Sequence, residues 1–190
     1  MRSAPTLDAT GDVVTRDGVA LFHRDWGGRD AAPVVFLASW SLASDSWACQ
    51  MMACRDAGLR PVAYDRRGHG RSADPGRGYD FDTLADDLAD VLEALDVRGA
   101  TLVTFSAGAG EAVRYLTRHG PRGRVSRLAL VAPTTPLMAR TGDNPDGIDT
   151  AVFDAFVRGE MLRDWPRWLE DNARAFAGPE VSEPMLAWVK

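Results

Sequence analysis

Short apolar runs alternate with amphipathic helical stretches along this chain, and that alternation restricts its fold more than any other feature. Pro33-Val34-Val35-Phe36-Leu37-Ala38 is apolar without a break, as a strand covered on both faces requires. Pro61 to Tyr64 reads as a short strand, Thr101 to Phe105 as a further buried strand and Arg127 to Ala132 as another apolar strand. Between them lie three helical stretches. Ser46 to Ala57 is ended by Gly58, and Ala107 to Arg118 is closed by Gly120-Pro121. The third carries one apolar stripe, Leu84, Leu88, Val91, Leu92 and Leu95, with Asp80 or Asp82 placed to cap it. Its Asp86, Asp87, Asp90 and Glu93 are expected mostly in water. Upstream, Asp12 to Arg16 and Val19 to Arg24 are expected as two strands around the turn Asp17-Gly18. Strand and helix alternating at this spacing predict an α/β fold with a mostly parallel, doubly wound sheet.

After Ala132 the pattern changes. Asp143-Asn144-Pro145-Asp146-Gly147 is dense in turn formers, and from Thr150 only helical periodicity remains. Two regions are therefore expected, a core over residues 1–132 and a helical segment over 133–190. A composition of 45% hydrophobic and 26% charged residues is that of a globular protein. No run approaches the ~20 apolar residues of a membrane span. Net charge is −5 without a basic cluster, which argues against a nucleic-acid partner. Met1 to Gly11 lacks the apolar core of a secretory leader, and Cys49 and Cys54 point to different sides of a helix. Two buried free thiols and a cytoplasmic location are expected, with no metal site, since further ligands near the cysteines are missing.

Thr104-Phe105-Ser106-Ala107-Gly108 sits where an apolar strand becomes a helix. A serine in such a tight bend presents its hydroxyl above the sheet, and the next N–H and the helix N-terminus favour an oxyanion. The plainer alternative is a serine that only caps the helix. A nucleotide-binding domain is disfavoured, because no G-x-G-x-x-G follows either long apolar strand.

Tyr64-Asp65-Arg66-Arg67-Gly68-His69-Gly70-Arg71-Ser72, followed by Thr104 to Glu111, resembles the α/β-hydrolase superfamily, nearest its cofactor-free (non-haem) haloperoxidase and arylesterase branch. Trp40, Leu42, Asp45, Ser46 and Trp47 match the branch's segment after the third strand. The resemblance implies Ser106 as nucleophile and the N–H groups of Trp40 and Ala107 as the oxyanion hole. It also implies a helical cap from Pro133 onward, with Phe105, Phe153, Trp165 and Trp168 lining an apolar substrate pocket. Ordinary helix packing is the alternative role for the aromatic residues. A serine nucleophile excludes the dehalogenase and epoxide-hydrolase chemistries, which need a carboxylate there. Four positions depart from the pattern. Ala38-Ser39 replace a His-Gly pair, Ser41 replaces a proline associated with perhydrolase activity, and Thr104 replaces the elbow's first glycine.

The family's acid and histidine follow a seventh and an eighth strand, both downstream of the cap. The chain is expected to end within the cap, with an incomplete core and neither residue. His119, about 20 Å along the helix from Ser106, is too far to act as base. His23 is expected on a far strand, and His69 to organise its own loop. Asp143, Asp146 and Asp149 would then have no imidazole to orient. The expected activity is hydrolysis of small carboxylic esters through an acyl-serine, without cofactor, weak or silent in this chain. A catalytically silent binding or interaction module is the alternative. The last strand would leave an exposed edge favouring homo-oligomers or aggregation.

Overall fold

The computed structural model describes residues 4–134, 137–178 and 180–189. It divides into two compact units, Met1–Pro136 and Leu137–Lys190.

The first unit holds eight strands among its described residues: β1 (Thr6–Leu7), β2 (Val13–Val14), β3 (Ala20–Leu21), β4 (His23–Asp25), β5 (Pro33–Leu37), β6 (Arg60–Tyr64), β7 (Ala100–Phe105) and β8 (Val125–Val131). β1, β2 and β3 form a small antiparallel sheet. The main sheet has the order β4-β6-β5-β7-β8, parallel except for β4. Helices α1 (Ala48–Asp56), α2 (Phe81–Ala94) and α3 (Gly108–His119) connect its strands.

Side-chain alternation on β5 explains its unbroken apolar run. Val34 and Phe36 pack with Trp47 and Met51 beside α1. Val35 and Leu37 face the other way, into a cluster with Leu88, Leu92, Ala112 and Tyr115 of α2 and α3. Both faces are thus covered, which makes the sheet doubly wound. The α2 stripe is fully used: Leu84, Leu88, Val91, Leu92 and Leu95 are all buried, and Asp80 caps the helix by accepting the Thr83 N–H at 2.9 Å.

Three expectations need correction. Asp87 and Asp90 are buried, not solvated. Arg67 grips Asp87 through Nε at 2.7 Å and Nη2 at 2.5 Å, and the Arg16 N–H donates to Asp90 at 2.7 Å. Cys49 is exposed and Cys54 only half-buried, because α1 buries Met51 instead; both thiols are free. The expected strand Val19 to Arg24 is broken at Phe22. There Ser72 Oγ accepts the Phe22 N–H at 3.0 Å and the Phe22 carbonyl accepts the Asp65 N–H at 2.9 Å, so β3 and β4 serve different sheets.

The second unit is helical: α4 (Thr150–Asp154) running into a π-helical turn (Ala155–Met161), α5 (Trp165–Ala177) and α6 (Glu183–Val189). Asp149 caps α4 and Asp164 caps α5. Asn144 Nδ2 closes the preceding loop by donating to the Leu137 carbonyl at 2.7 Å and the Ala139 carbonyl at 3.0 Å. Among the described residues no helix is long and apolar enough to cross a membrane.

Candidate active site

In an open parallel sheet, ligands bind outside the carboxyl ends of the strands, where the strand order reverses. Here β6 lies on one side of β5 and β7 on the other, so the crevice opens beyond β5 and β7. Leu37 pairs with Thr104 across those strands. The chain that leaves β5 through Ala38, Ser39 and Trp40 therefore starts level with the chain that leaves β7 through Ser106 and Ala107.

Ser106 adopts φ 49°, a left-handed conformation that a residue with a Cβ rarely takes. Its neighbours hold it there. The Ser106 N–H donates to the Val131 carbonyl at 3.0 Å, extending the β7–β8 ladder, while its carbonyl accepts the Ala109 N–H at 3.0 Å as α3 begins. Ser106 is half-buried, and among the described residues none hydrogen-bonds its Oγ. No described acceptor takes the Ala107 N–H, and no side chain caps α3. The helix's N-terminal end carries a partial positive charge, with buried Glu111 as the acidic residue of its first turn.

The segment after β5 turns tightly. The Leu42 N–H donates to the Ser39 carbonyl at 3.3 Å, and Ser41 has φ 64°. Proline, fixed near −65°, has no access to that value, so the turn as it stands would not accept the proline that Ser41 replaces. Gly108 brings the two segments together. A Cβ there would sit 2.8 Å from the Leu37 carbonyl oxygen and 2.9 Å from that of Ala38.

Beneath the crevice lies a buried polar network that spacing alone did not assign. Arg66 Nε donates to Glu111 Oε2, its Nη1 to the Ser39 carbonyl at 3.1 Å and its Nη2 to the Ala38 carbonyl at 2.5 Å. Glu111 Oε1 accepts the Tyr64 hydroxyl. Burial raises the Glu111 carboxyl well above its ordinary value and lowers Arg66 to about 10, while contact between them favours both charged forms. The legible signal is Glu111 itself, a charge on the same face of α3 as buried Gly108 and Tyr115.

Asp65 organises the adjoining loop. Its Oδ1 accepts the Ser44 N–H at 2.7 Å and its Oδ2 accepts the Arg71 N–H at 2.9 Å. Burial opposes the charge, yet these bonds leave its pKa below the ordinary value.

The three histidines are placed elsewhere. His23 lies on the edge strand β4, paired opposite Tyr64, with its pKa lowered by burial. His69 Nδ1 is 3.0 Å from the Arg67 carbonyl within its own loop. His119 Nε2 meets Asp86 Oδ1 at 2.7 Å at the far end of α3. Phe105 is half-buried and packs against the cluster beside α1. Trp40 is exposed. In the second unit Phe153 is half-buried on α4. Trp165 stacks on buried Trp168 with ring centroids 5.3 Å apart, and Phe156 meets Trp168 edge-on at 5.5 Å. Asp143 and Asp146 are exposed, and Asp149 is the α4 cap.

A doubly wound sheet with a serine elbow between β7 and α3 defines the fold class, and sequence comparison agrees. Residues 32–187 match the alpha/beta hydrolase fold family, and the chain belongs to it. It is 47% identical over 162 residues to the non-heme chloroperoxidase CPO-A1 of Kitasatospora aureofaciens, covering 85% of this chain and 58% of that protein. It is 41% identical over 182 residues to the bifunctional esterase/perhydrolase DCH of Acinetobacter calcoaceticus, covering 93% and 65% respectively. The esterase EaEST from Exiguobacterium antarcticum superposes with a TM-score of 0.84 at 31% identity, over 93% of this chain and 64% of that one. The similarity falls within the haloperoxidase and esterase branch. The chain spans between half and two thirds of the length of these relatives.

Proposed function

We propose that the protein is a serine hydrolase of small carboxylic esters, with Ser106 as nucleophile. Ser106 Oγ attacks the ester carbonyl, forming a C–O bond as its proton passes to solvent water. The N–H groups of Trp40 and Ala107 receive the oxyanion. The tetrahedral species then expels the alcohol, which takes up a proton, and water hydrolyses the acyl-serine to acid and free Ser106. No metal or cofactor enters these steps. The observation carrying this reading is the φ of 49° at Ser106, between a strand end and an uncapped helix start. Strain of that kind persists where surrounding structure imposes it, and it concentrates at active sites.

None of the three histidines, as placed above, hydrogen-bonds Ser106 among the described residues. We therefore expect slow turnover from this chain, since a full triad contributes on the order of 10⁶-fold. The same observation favours a second reading, a catalytically silent hydrolase-like binding module. Incubation with a fluorophosphonate tests both. The Ser106 Oγ–P bond forms as fluoride leaves and the serine proton passes to solvent. Peptide mass spectrometry should find the adduct on Ser106, and Ser106→Ala should abolish it. An unlabelled protein, or an adduct on another residue, refutes the nucleophile. Hydrolysis of a p-nitrophenyl ester that is lost in Ser106→Ala refutes the silent module.

A further inference from the structure

The buried pair Arg66–Glu111 touches three elements that meet at the crevice. Tyr64 ends β6, Glu111 lies in the first turns of α3, and Ala38 and Ser39 open the segment after β5. Among the described residues the Ser39 hydroxyl makes no hydrogen bond, so this segment is fixed through its backbone carbonyls. Two of the guanidinium donors are spent on the Ala38 and Ser39 carbonyls. The Ala38 carbonyl also lies close to Gly108, where an added Cβ would come within 2.9 Å of its oxygen. The Ser39 carbonyl, which accepts the Leu42 N–H at 3.3 Å as well as Arg66 Nη1 at 3.1 Å, shares one planar trans peptide with the Trp40 N–H, and the two point in opposite directions. Whatever holds the carbonyl therefore aims the N–H.

We propose that Arg66, clamped by Glu111, is the positioning residue that turns the Trp40 N–H into an oxyanion donor. This rests on the serine-hydrolase reading of Ser106. Arginine suits the task because its planar fork reaches several acceptors at once, whereas a lysine ammonium is a compact point charge on a flexible stem. Burial strengthens the clamp, since a charge with no water to turn to stays with its partners.

Arg66→Lys tests the proposal, with Glu111→Gln beside it. The amide introduced by Glu111→Gln would keep a hydrogen-bonding group near Arg66 but remove the charge that fixes the guanidinium. Two readouts are taken on each protein: the saturating rate and half-saturation concentration of fluorophosphonate labelling at Ser106, and the backbone amide resonance of Trp40. Removing one oxyanion donor outright costs on the order of 10²–10³ in rate. A misaimed donor should therefore lower the saturating labelling rate of Arg66→Lys about 10- to 100-fold, with little change in half-saturation. Its Trp40 resonance should shift or broaden, and Glu111→Gln should show both effects in smaller measure. A purely structural role would instead reduce the fraction of protein that labels while leaving the rate of the labelled fraction unchanged. That outcome, or an unmoved Trp40 resonance, overturns the proposal. If Arg66→Lys does not fold, Glu111→Gln decides by the same two criteria. If the wild-type protein resists the probe while the Trp40 resonance still answers to Arg66, the hydrolase reading has failed and the oxyanion role fails with it.

Discussion

Replacing Ser106 with alanine and with glycine separates backbone strain from chemistry, because both variants lack the nucleophile. At φ 49° a Cβ crowds the following carbonyl, which costs about 1–2 kcal/mol. Ser106→Ala keeps that cost and Ser106→Gly removes it. Glycine brings its own penalty of about 0.5–1 kcal/mol from the freer unfolded chain. The net expectation is that Ser106→Gly is more stable than Ser106→Ala by about 0.5–1 kcal/mol. For a chain of this size that corresponds to roughly 1–4 °C in melting temperature. The neighbouring residue supplies the control. Ala107 has φ −58° and carries no such strain, so Ala107→Gly should lose about 0.5–1 kcal/mol. The same change of side chain thus has opposite signs at adjacent positions. Urea unfolding followed by tryptophan fluorescence reads all three variants. A Ser106→Gly protein no more stable than Ser106→Ala would refute the strain, and with it the main physical support for a catalytic elbow.

Two further expectations concern charge and association. Burial raises Asp87 to about 6 against the pull of Arg67, with Asp17 and Asp90 nearby adding to the rise. The folded protein therefore binds this proton more tightly than the unfolded chain does. Its contribution to stability is full below the ordinary value of 3.8 and is lost as pH rises through about 6. Between pH 4 and pH 7 the stability difference between the wild type and Asp87→Asn should fall by about 2–3 kcal/mol; a difference constant with pH would contradict this. Asp17 does not disturb that window. Burial works against its charge, but bonds from Arg67 and Thr15 pull it down to about 2, so its stabilisation is lost only as pH falls through that value. We also propose self-association through β8. Among the described residues this strand pairs only with β7, and it leaves Leu130 42% and Val131 47% exposed. Sedimentation velocity should show mass rising with concentration, and a charged pair at these two positions should suppress it. A monomer at all concentrations would refute it.

What the sequence disclosed, and what it withheld, follows from the distance over which each interaction acts. The strands were legible because an apolar run records burial on both faces within a few residues. The elbow was legible because Ser106 lies between the strand and the helix that create it. Asp87 and Asp90 were misplaced because their partners, Arg67 and the Arg16 backbone, stand 20 and 74 residues away. A helix pattern cannot tell a solvated carboxylate from one gripped by a distant arginine. The break at Phe22 has the same origin, since its backbone is claimed by Ser72 and Asp65 from a loop far along the chain. Arg66 stood inside a recognised motif, yet its role depends on carbonyl groups, which every residue carries and no sequence distinguishes.

At Gly108 the two sides of the crevice are kept apart by no more than a hydrogen atom. The gauge of the cleft is thus set by a missing methyl group, in a place that no reactant need ever touch. Any larger residue would act as a shim between α3 and the strand beside it. It would widen the mouth of the sheet while every chemically active atom kept its identity.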